Sequence, residues 1–229
     1  MKRIILALFI VLTCSVAVTA AGKSACYLRG LPSEDGAVVI DEDVGYVSAT
    51  FMKRAYHLDI HVEDNTVQIA TASKMFRFPL RKEGTRVSLC GDEPSALMAS
   101  GKLYLPVRAI AEALGDEVDW DEVNRTIVVQ RPKDEDFNYY NKVFGFSLNG
   151  DVDLLDRVAM TPERGGIAVS IDGEDAGDIL ISAAPTLSTH EGFLLDYRRG
   201  TYYEYRRNAD LDGSLSGELK DLLMTFKRQ

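Results

Sequence analysis

Two histidines and one aspartate stand at every second position between residues 57 and 61, a spacing that could collect ligands for a metal ion. Alternate residues of a β-strand share one face, so His57, Asp59 and His61 would point the same way. Imidazole and carboxylate groups are ligands for zinc and copper. Three groups on one strand still need a fourth ligand or an open position. A polar face turned to solvent is the interpretation we favour, so the sequence predicts no metal and no cofactor, with these three residues as the metal candidates.

An oxygen-rich segment before the C-terminus has the spacing of a calcium-binding loop, with side-chain oxygens at Asp210, Asp212, Ser214, Ser216 and Glu218. A calcium loop requires Gly at its sixth place and Glu at its twelfth, where this chain has Leu215 and Asp221. A serine that caps the last helix explains the segment better, because Ser and Asp oxygens accept hydrogen bonds from the first N–H groups of a helix. We therefore expect Ser214 or Ser216 to be the cap.

The cysteines favour a structural disulfide over redox or zinc chemistry. Cys14 lies in an apolar leader, which leaves Cys26 and Cys90 as an even pair. Their spacing is unlike C-x-x-C, the motif of thiol oxidoreductases and zinc knuckles. A Cys26–Cys90 disulfide would stabilise the fold by about 4 kcal/mol in the chain-entropy model.

The N-terminus has the order of a secretory signal peptide over residues 1–21. Lys2 and Arg3 precede the apolar run Ile4 to Leu12, and small residues then allow cleavage after Ala20 or Ala21. The run is too short for a transmembrane helix, which needs about 20 apolar residues. We expect an exported protein, extracellular or in the cell envelope. Lipoprotein anchoring through Cys14 is the disfavoured alternative, because Thr13 stands where a small residue should precede the lipidated cysteine.

Composition and charge restrict the partners. The formal net charge is −9, and removal of the leader with Lys2 and Arg3 would make it −11. Nucleic acid phosphates repel such a chain, so nucleic acid is excluded as a partner. Adhesion to anionic lipid or anionic wall polymer is disfavoured as well, unless a local basic patch or divalent cations intervene.

Residues 102–129 form the unit around which the chain is organised, a strand followed by a short helix and a hairpin. Pro106 suits the first position of a helix. Ala109, Ile110, Ala113 and Leu114 give an apolar stripe at helical spacing. Gly115 suits the left-handed position that closes the helix, and Thr126 begins a β-branched return strand.

The same unit is predicted to occur twice, in segment 45–69 and in the later segment, since a shift of 58 residues superposes their strands and helices and a turn shorter by two residues then brings Thr66 onto Thr126. Tyr46 then falls on Tyr104, and Val47 falls on Leu105. His57 replaces Gly115 at the helix end. Two copies that each expose an apolar face are expected to bury it together.

The later unit resembles the copper amine oxidase N-terminal-like domain, also called a stalk domain, over residues 37–131. The resemblance depends on a Pro-Val-Arg start, an Ala-Glu-Ala-Leu-Gly helix end and a Val-x-Trp-Asp hairpin, whose main residues are Pro106, Arg108, Glu112, Gly115, Trp120 and Asp121. It implies a structural role for these residues, because copper and the redox tyrosine belong to a separate catalytic domain. It also implies a secreted or wall-associated bacterial protein. Asn138-Tyr139 is followed by Tyr140 where the quinone site has an acid, so amine oxidase activity is excluded. For Arg108 we expect an ion pair with Glu112 on the helix surface.

The second half begins after a Pro-containing charged stretch. We assign residues 22–131 to the stalk-like domain, 132–142 to a linker and 143–229 to an α+β domain. Alternating strands, a hairpin around Arg198-Arg199-Gly200 and a helix over about 216–226 predict an antiparallel sheet closed by a C-terminal helix. The opening segment 140–147 (YNKVFGFS) and the closing segment 222–227 (LLMTFK) of this half weakly resemble a PsbP/DcrB-like module. The fold class is therefore α+β in two small domains.

The function predicted from these patterns is binding or scaffolding by an exported, non-catalytic protein. Its partner would be an unidentified envelope protein or wall component. A tyrosine strip in the second half could supply an interface, although packing within a hairpin is the alternative we favour for Tyr197, Tyr202, Tyr203 and Tyr205. Two other classes remain open: a divalent-cation binder for calcium, copper or zinc, and an accessory envelope hydrolase whose site forms only in the fold.

Overall fold

The computed structural model describes residues 24–41, 43–82, 94–133, 137–188 and 191–229. Within these ranges the chain is mostly β-sheet with short helices, in agreement with the α+β class. The elements of the N-terminal half are β1 (Ala25–Leu28), β2 (Leu31–Pro32), β3 (Val38–Asp41), β4 (Val44–Ser48), α1 (Ala49–Tyr56), β5 (Asp59–Glu63), β6 (Thr66–Ala70), β7 (Met75–Lys82), β8 (Ala96–Ala99), β9 (Lys102–Pro106), α2 (Val107–Ala113), β10 (Glu117–Asp121) and β11 (Thr126–Gln130).

The C-terminal half follows the short segment 131–133. Its elements are β12 (Tyr139–Asn141), β13 (Phe146–Leu148), α3 (Val152–Arg157), β14 (Val158–Glu163), β15 (Gly166–Ile171), β16 (Glu174–Ser182), β17 (Gly192–Arg198), β18 (Thr201–Arg207), α4 (Gly213–Leu223) and β19 (Lys227–Arg228). β12 falls inside the range predicted as a linker and pairs with β13.

Two sheets and two helices enclose the core of the N-terminal half. The larger sheet has the strand order β3-β4-β9-β8-β7-β6-β5, and the smaller one has the order β10-β11-β1-β2. β1 lies between β11 and β2 in the smaller sheet, and it runs parallel to β11. Side chains from both sheets and both helices meet in one apolar cluster, whose buried members include Leu28, Met52, Leu105, Ile110 and Val129.

The strand–helix–hairpin order occurs in β4-α1-β5-β6 and again in β9-α2-β10-β11. The two units meet where β4 pairs with β9 in antiparallel fashion, and the central pair is Val47 with Leu105. These are the residues that the 58-residue shift makes equivalent. His57 and Gly115, also equivalent, both take positive φ angles, 54° and 87°, just beyond their helices. Duplication of one ancestral unit stays a prediction, and this pairing favours it.

Local signals set the ends of the helices. The Ser48 hydroxyl accepts a hydrogen bond from the N–H of Phe51 and caps α1. Pro106 ends β9 and stands just before α2, one position earlier than expected. α4 begins at Gly213 instead of about residue 216, because the Asp212 carboxylate accepts from the N–H of Ser214 and caps the helix there. The predicted cap, Ser214 or Ser216, is therefore wrong.

The C-terminal half contains an antiparallel sheet closed by α4, as the pattern of strands predicts. The sheet has the order β14-β15-β16-β18-β17, and β12, β13 and β19 form a smaller sheet beside it. α4 buries Leu219, Leu222 and Leu223 against the larger sheet. The hairpin between β17 and β18 turns at Arg199-Gly200.

β18 is buried on both faces because it packs against two different cores. Tyr203 and Tyr205 belong to the core beneath α4. Tyr202 belongs to a second cluster with Tyr27 and Val128 of the N-terminal half. The suggestion of an exposed tyrosine strip is therefore wrong for Tyr202, Tyr203 and Tyr205, which are 9% exposed or less.

Candidate functional site

Trp120 is the most prominent aromatic side chain on the surface of the later unit. β10 is an edge strand, and Trp120 lies opposite Ile127 of the neighbouring β11. The indole is 39% exposed, and it belongs to the single tryptophan of the chain. An aromatic ring that is half covered by its own sheet and half open is a common anchor for a ligand or partner.

An open groove of about 470 Å³ runs along one side of Trp120, and we call it the Trp120 groove. It combines apolar walls with charges of both signs. Its lining residues are Ile40, Asp43, Gly45, Val107, Arg108, Val118, Asp119, Trp120, Glu122, Arg125 and Ile127. Mixed apolar and charged walls suit binding of a polar ligand with an apolar face.

Arg108 stabilises the wall of the Trp120 groove through two contacts. Its guanidinium contacts Glu112 at 2.8 Å, the ion pair expected at i, i+4, and donates to the carbonyl of Val118 at 3.1 Å. The second contact ties the first turn of α2 to the edge strand β10. Both charged side chains are more than half exposed, so the ion pair itself stabilises the fold little.

A second and larger cleft of about 630 Å³ lies between the two halves, and we call it the junction cleft. It shares Asp119 and Trp120 with the Trp120 groove, so the indole stands between the two depressions. Its lining residues are Glu117, Asp119, Trp120, Gln130, Arg131, Pro132, Lys133, Asp196, Tyr197, Arg198, Arg199 and Lys227. Five of these are cations, in a chain whose net charge is −9.

Lys133 is the most deeply placed of these cations. Its amine donates to the backbone carbonyls of Leu195 and Phe226. Burial lowers the pKa of this amine to about 8, with the carboxylate of Asp196 acting in the opposite direction and Lys227 adding to the decrease. The Asp196 carboxylate itself accepts from the backbone N–H groups of Tyr197 and Arg228.

Buried carboxylates elsewhere are occupied by structural donors. Glu204 is fully buried and accepts from the hydroxyl of Tyr27, the hydroxyl of Thr186 at 2.5 Å and the N–H of Thr186. Burial, and then the bond to Glu204, raises the pKa of the Tyr27 hydroxyl. A carboxylate shielded in this way cannot reach a substrate, so its task is to join the two halves.

The helix end of the later unit carries a second buried carboxylate. Gly115 takes the left-handed conformation that the sequence predicts, and Asp116 follows it. The guanidinium of Arg29 donates to both oxygens of Asp116 at 2.7 and 3.0 Å, and the Tyr56 hydroxyl donates to the same carboxylate at 2.7 Å. The three contacts connect β1, the end of α1 and the end of α2.

The structure brings together two of the three metal candidates. Asp59 and His61 lie on β5 with Oδ2 and Nε2 3.1 Å apart, and both side chains are about 70% exposed. His57 stands in the left-handed turn before the strand. Among the described residues, no three His, Cys, Asp or Glu side chains are placed to hold a metal ion. The pair alone offers two ligands on an open surface.

Other predictions concern residues outside the described ranges. Cys26 carries a free thiol that is 1% exposed, and burial raises its pKa. Its predicted partner Cys90 lies outside the described residues, so the disulfide stays a prediction. The leader 1–21, with Cys14, lies outside them as well. In the described ranges, no helix combines the length and apolar character that crossing a bilayer requires.

Sequence reasoning missed the junction cleft. Arg131 ends the predicted stalk-like domain, Lys133 lies in the predicted linker, and Arg198 and Arg199 lie in a predicted hairpin turn. The feature of the sequence that could have indicated the cleft is a pair of short basic stretches, 131–133 and 198–199, in an acidic chain. Their convergence depends on how the halves pack, which local patterns do not contain.

Comparison with known proteins adds one match. Residues 84–139 match the family model described as the copper amine oxidase N-terminal domain. The match contains β9, α2, β10 and β11, including Trp120, and confirms the resemblance for this part of the chain. No curated protein and no solved structure matches the chain.

Proposed function

We propose that this chain is an exported, non-catalytic protein that binds or scaffolds a component of the cell envelope. The observation that carries the proposal is the position of Trp120, half exposed between two open depressions on the unit that matches the family model. An anchor of this kind serves binding, and the family unit is a non-catalytic part of amine oxidases. The signal-peptide pattern in residues 1–21 supports export.

The arrangement of the buried carboxylates supports the absence of catalysis. Asp116, Asp121, Asp196 and Glu204 each accept hydrogen bonds from groups that hold elements together. A general acid or base must have a free position near the substrate. In the described part of the chain, the oxygens of these four carboxylates accept hydrogen bonds from structural donors instead of facing a substrate.

Export is tested with the full chain carrying a C-terminal tag, expressed in a bacterium and fractionated. We expect the protein outside the cytoplasmic membrane, with a mature N-terminus at Ala21 or Gly22. Leu8→Arg, which places a charge in the apolar run, should hold the protein in the cytoplasm, whereas Leu8→Val should be exported normally. An unprocessed cytoplasmic wild type would refute the proposal.

Binding is tested by sedimentation of the purified protein with insoluble envelope material. We expect the wild type to sediment and Trp120→Ala to remain largely in the supernatant. Calorimetry with Ca²⁺, Cu²⁺ and Zn²⁺ tests the cation-binding alternative, for which the Asp59–His61 pair is the site to replace. Hydrolytic turnover by purified protein would replace the binding proposal with the hydrolase alternative.

A further inference from the structure

We propose that the junction cleft and the Trp120 groove together bind an acidic saccharide, an oligosaccharide whose sugar rings carry carboxylate or phosphate groups. This inference rests on the proposed function, because an envelope location is what brings such polymers to the cleft. It names the class of ligand that the two depressions recognise.

Four of the five cations of the junction cleft form no ion pair within the described ranges, and the fifth, Lys133, lies near the carboxylate of Asp196. Among the described residues, Arg131, Arg198, Arg199 and Lys227 form no ion pair, whereas Arg29, Arg81, Arg108, Arg157 and Arg206 do. Lys133 has backbone carbonyls as its hydrogen-bond partners. Five cations against three carboxylates, Glu117, Asp119 and Asp196, leave the cleft with an excess of positive charge, which attracts an anion. Arginine in particular pairs with carboxylate or phosphate through two parallel hydrogen bonds.

The remaining walls favour a saccharide over other polyanions. Glu117 and Asp119 lie exposed on β10, next to Trp120. Carboxylates accept hydrogen bonds from sugar hydroxyls, but they repel a continuous row of phosphates such as that of a nucleic acid. The indole of Trp120 offers a flat apolar surface for the C–H face of a sugar ring. An acidic sugar chain alternates anionic groups with hydroxyls, and this alternation matches the walls.

The two depressions meet at Trp120, which sets the course of the ligand. Asp119 and Trp120 line both of them. An elongated ligand that stacks on the indole therefore extends into the junction cleft on one side and toward Arg108 and Arg125 in the Trp120 groove on the other. The junction cleft therefore supplies most of the cations, Arg125 supplies one on the other side of the indole, and a sugar ring between them covers it.

The experiment is titration calorimetry of the purified full chain with four probes. These are oligogalacturonate, which carries carboxylates, a phosphomannan oligosaccharide whose mannose rings carry phosphate, a neutral dextran oligosaccharide and polyglutamate, an anion without sugar. We expect binding of one or both acidic saccharides, weakened by salt, and no binding of dextran. The carboxylate and phosphate arms identify which acidic group is preferred. Intrinsic fluorescence of the single tryptophan locates the ligand, because binding at the cleft changes its emission.

Matched variants test the site. Arg131→Gln with Arg198→Gln should weaken binding about a hundredfold or more, since each lost charge-assisted contact lowers the affinity roughly tenfold or more. The control is Arg164→Gln with Lys142→Gln, which removes two exposed charges from turns outside both depressions. Control binding should equal that of the wild type, and circular dichroism should show that both variants fold.

Three results would overturn the inference. They are equal loss of affinity in the control, polyglutamate bound as tightly as the acidic saccharides, and no heat with either acidic saccharide. An exported protein that binds neither acidic saccharide would sink this inference and leave the proposed function standing. A cytoplasmic protein that binds one of the acidic saccharides would refute the proposed function and leave the assignment of the ligand standing.

Discussion

The hydroxyl of Tyr202 in the C-terminal half donates a hydrogen bond to Oδ2 of Asp121 in the N-terminal half, at 2.6 Å. The same carboxylate accepts from the backbone N–H of Asn124 at 3.1 Å and from its side-chain amide at 2.8 Å. Asp121 therefore closes its own hairpin and holds the other half at once. The aspartate of the Val-x-Trp-Asp pattern has a structural task at the junction.

Tyr202→Phe should lower the free energy of unfolding by about 1–2 kcal/mol, because it leaves a buried carboxylate with one donor fewer. Asp121→Asn should also destabilise the protein, and the double variant should lose less than the sum, since the two residues share one interaction. Urea unfolding followed by circular dichroism measures all three. Tyr140→Phe is the matched control, as Tyr140 is 43% exposed. Strictly additive losses would show that the two residues are not coupled.

Acid should destabilise the wild type through Asp121. Burial raises the pKa of this carboxyl, but hydrogen bonds from Asn124 and Tyr202 outweigh it, so the pKa lies below its ordinary value of 3.8. A group with a lower pKa in the folded state stabilises the protein above its unfolded pKa. That contribution disappears as the pH falls through the folded pKa. Between about pH 5 and pH 2, the wild type should lose more stability than Asp121→Asn. Parallel curves would contradict this assignment.

Lys133 should give a dependence on pH of the same sign in a different, alkaline window. Burial, opposed by Asp196 and assisted by Lys227, lowers its pKa from 10.5 to about 8. Between these values the unfolded chain holds the proton and the folded one does not, so stability rises with pH. Relative to Lys133→Met, the wild type should gain up to about 3 kcal/mol across this window. Urea midpoints of both proteins provide the measurement. Tyrosines also titrate in this range of pH, but they affect both proteins equally, so their contribution cancels in the difference. A constant difference between them would disprove the shift.

Arg29→Met should destabilise the protein by about 3 kcal/mol, because it leaves the buried Asp116 carboxylate without its charged partner. Arg54→Met removes an ion pair of the same kind whose side chains are 47% and 63% exposed, and it should cost less than about 1 kcal/mol. Thermal unfolding of the two variants gives the comparison. Similar losses would mean that the Arg29–Asp116 contact contributes no more than a surface pair.

Replacement of Gly115 by alanine should destabilise the protein by about 1 kcal/mol, because φ is 87° at this position and an L side chain is strained there. Gly217 lies inside α4 with open space where the methyl group of an alanine would stand, so Gly217→Ala should stabilise the protein by about 0.5–1 kcal/mol. Opposite shifts in the melting temperature are expected. A shift of the same sign in both variants would contradict the conformational explanation.

Local patterns predict the elements of this fold better than their assembly. Gly115 closes a helix and Arg199-Gly200 turns a hairpin because short-range sterics decide both. The α+β class follows from the same periodicities.

The junction is the part that the sequence does not predict. In β18, Tyr202 to Tyr205 are all buried, so the strand lacks the alternation that distinguishes a core face from a solvent face. Glu204 resembles a solvent-facing residue in the sequence. Its burial depends on Tyr27 and Thr186, which are 177 and 18 residues away along the chain. Only tertiary packing brings such donors to the carboxylate.

The pairing of Val47 with Leu105 has an evolutionary consequence. An antiparallel contact centred on equivalent residues has the symmetry of a two-fold axis, which is the symmetry of a homodimer. Two separate chains, each carrying one unit, could make this contact equally well. A duplication of one unit would then correspond to the fusion of such a dimer, and the earlier unit, with His57 and Val62 where the later one has Gly115 and Trp120, would be the copy that diverged.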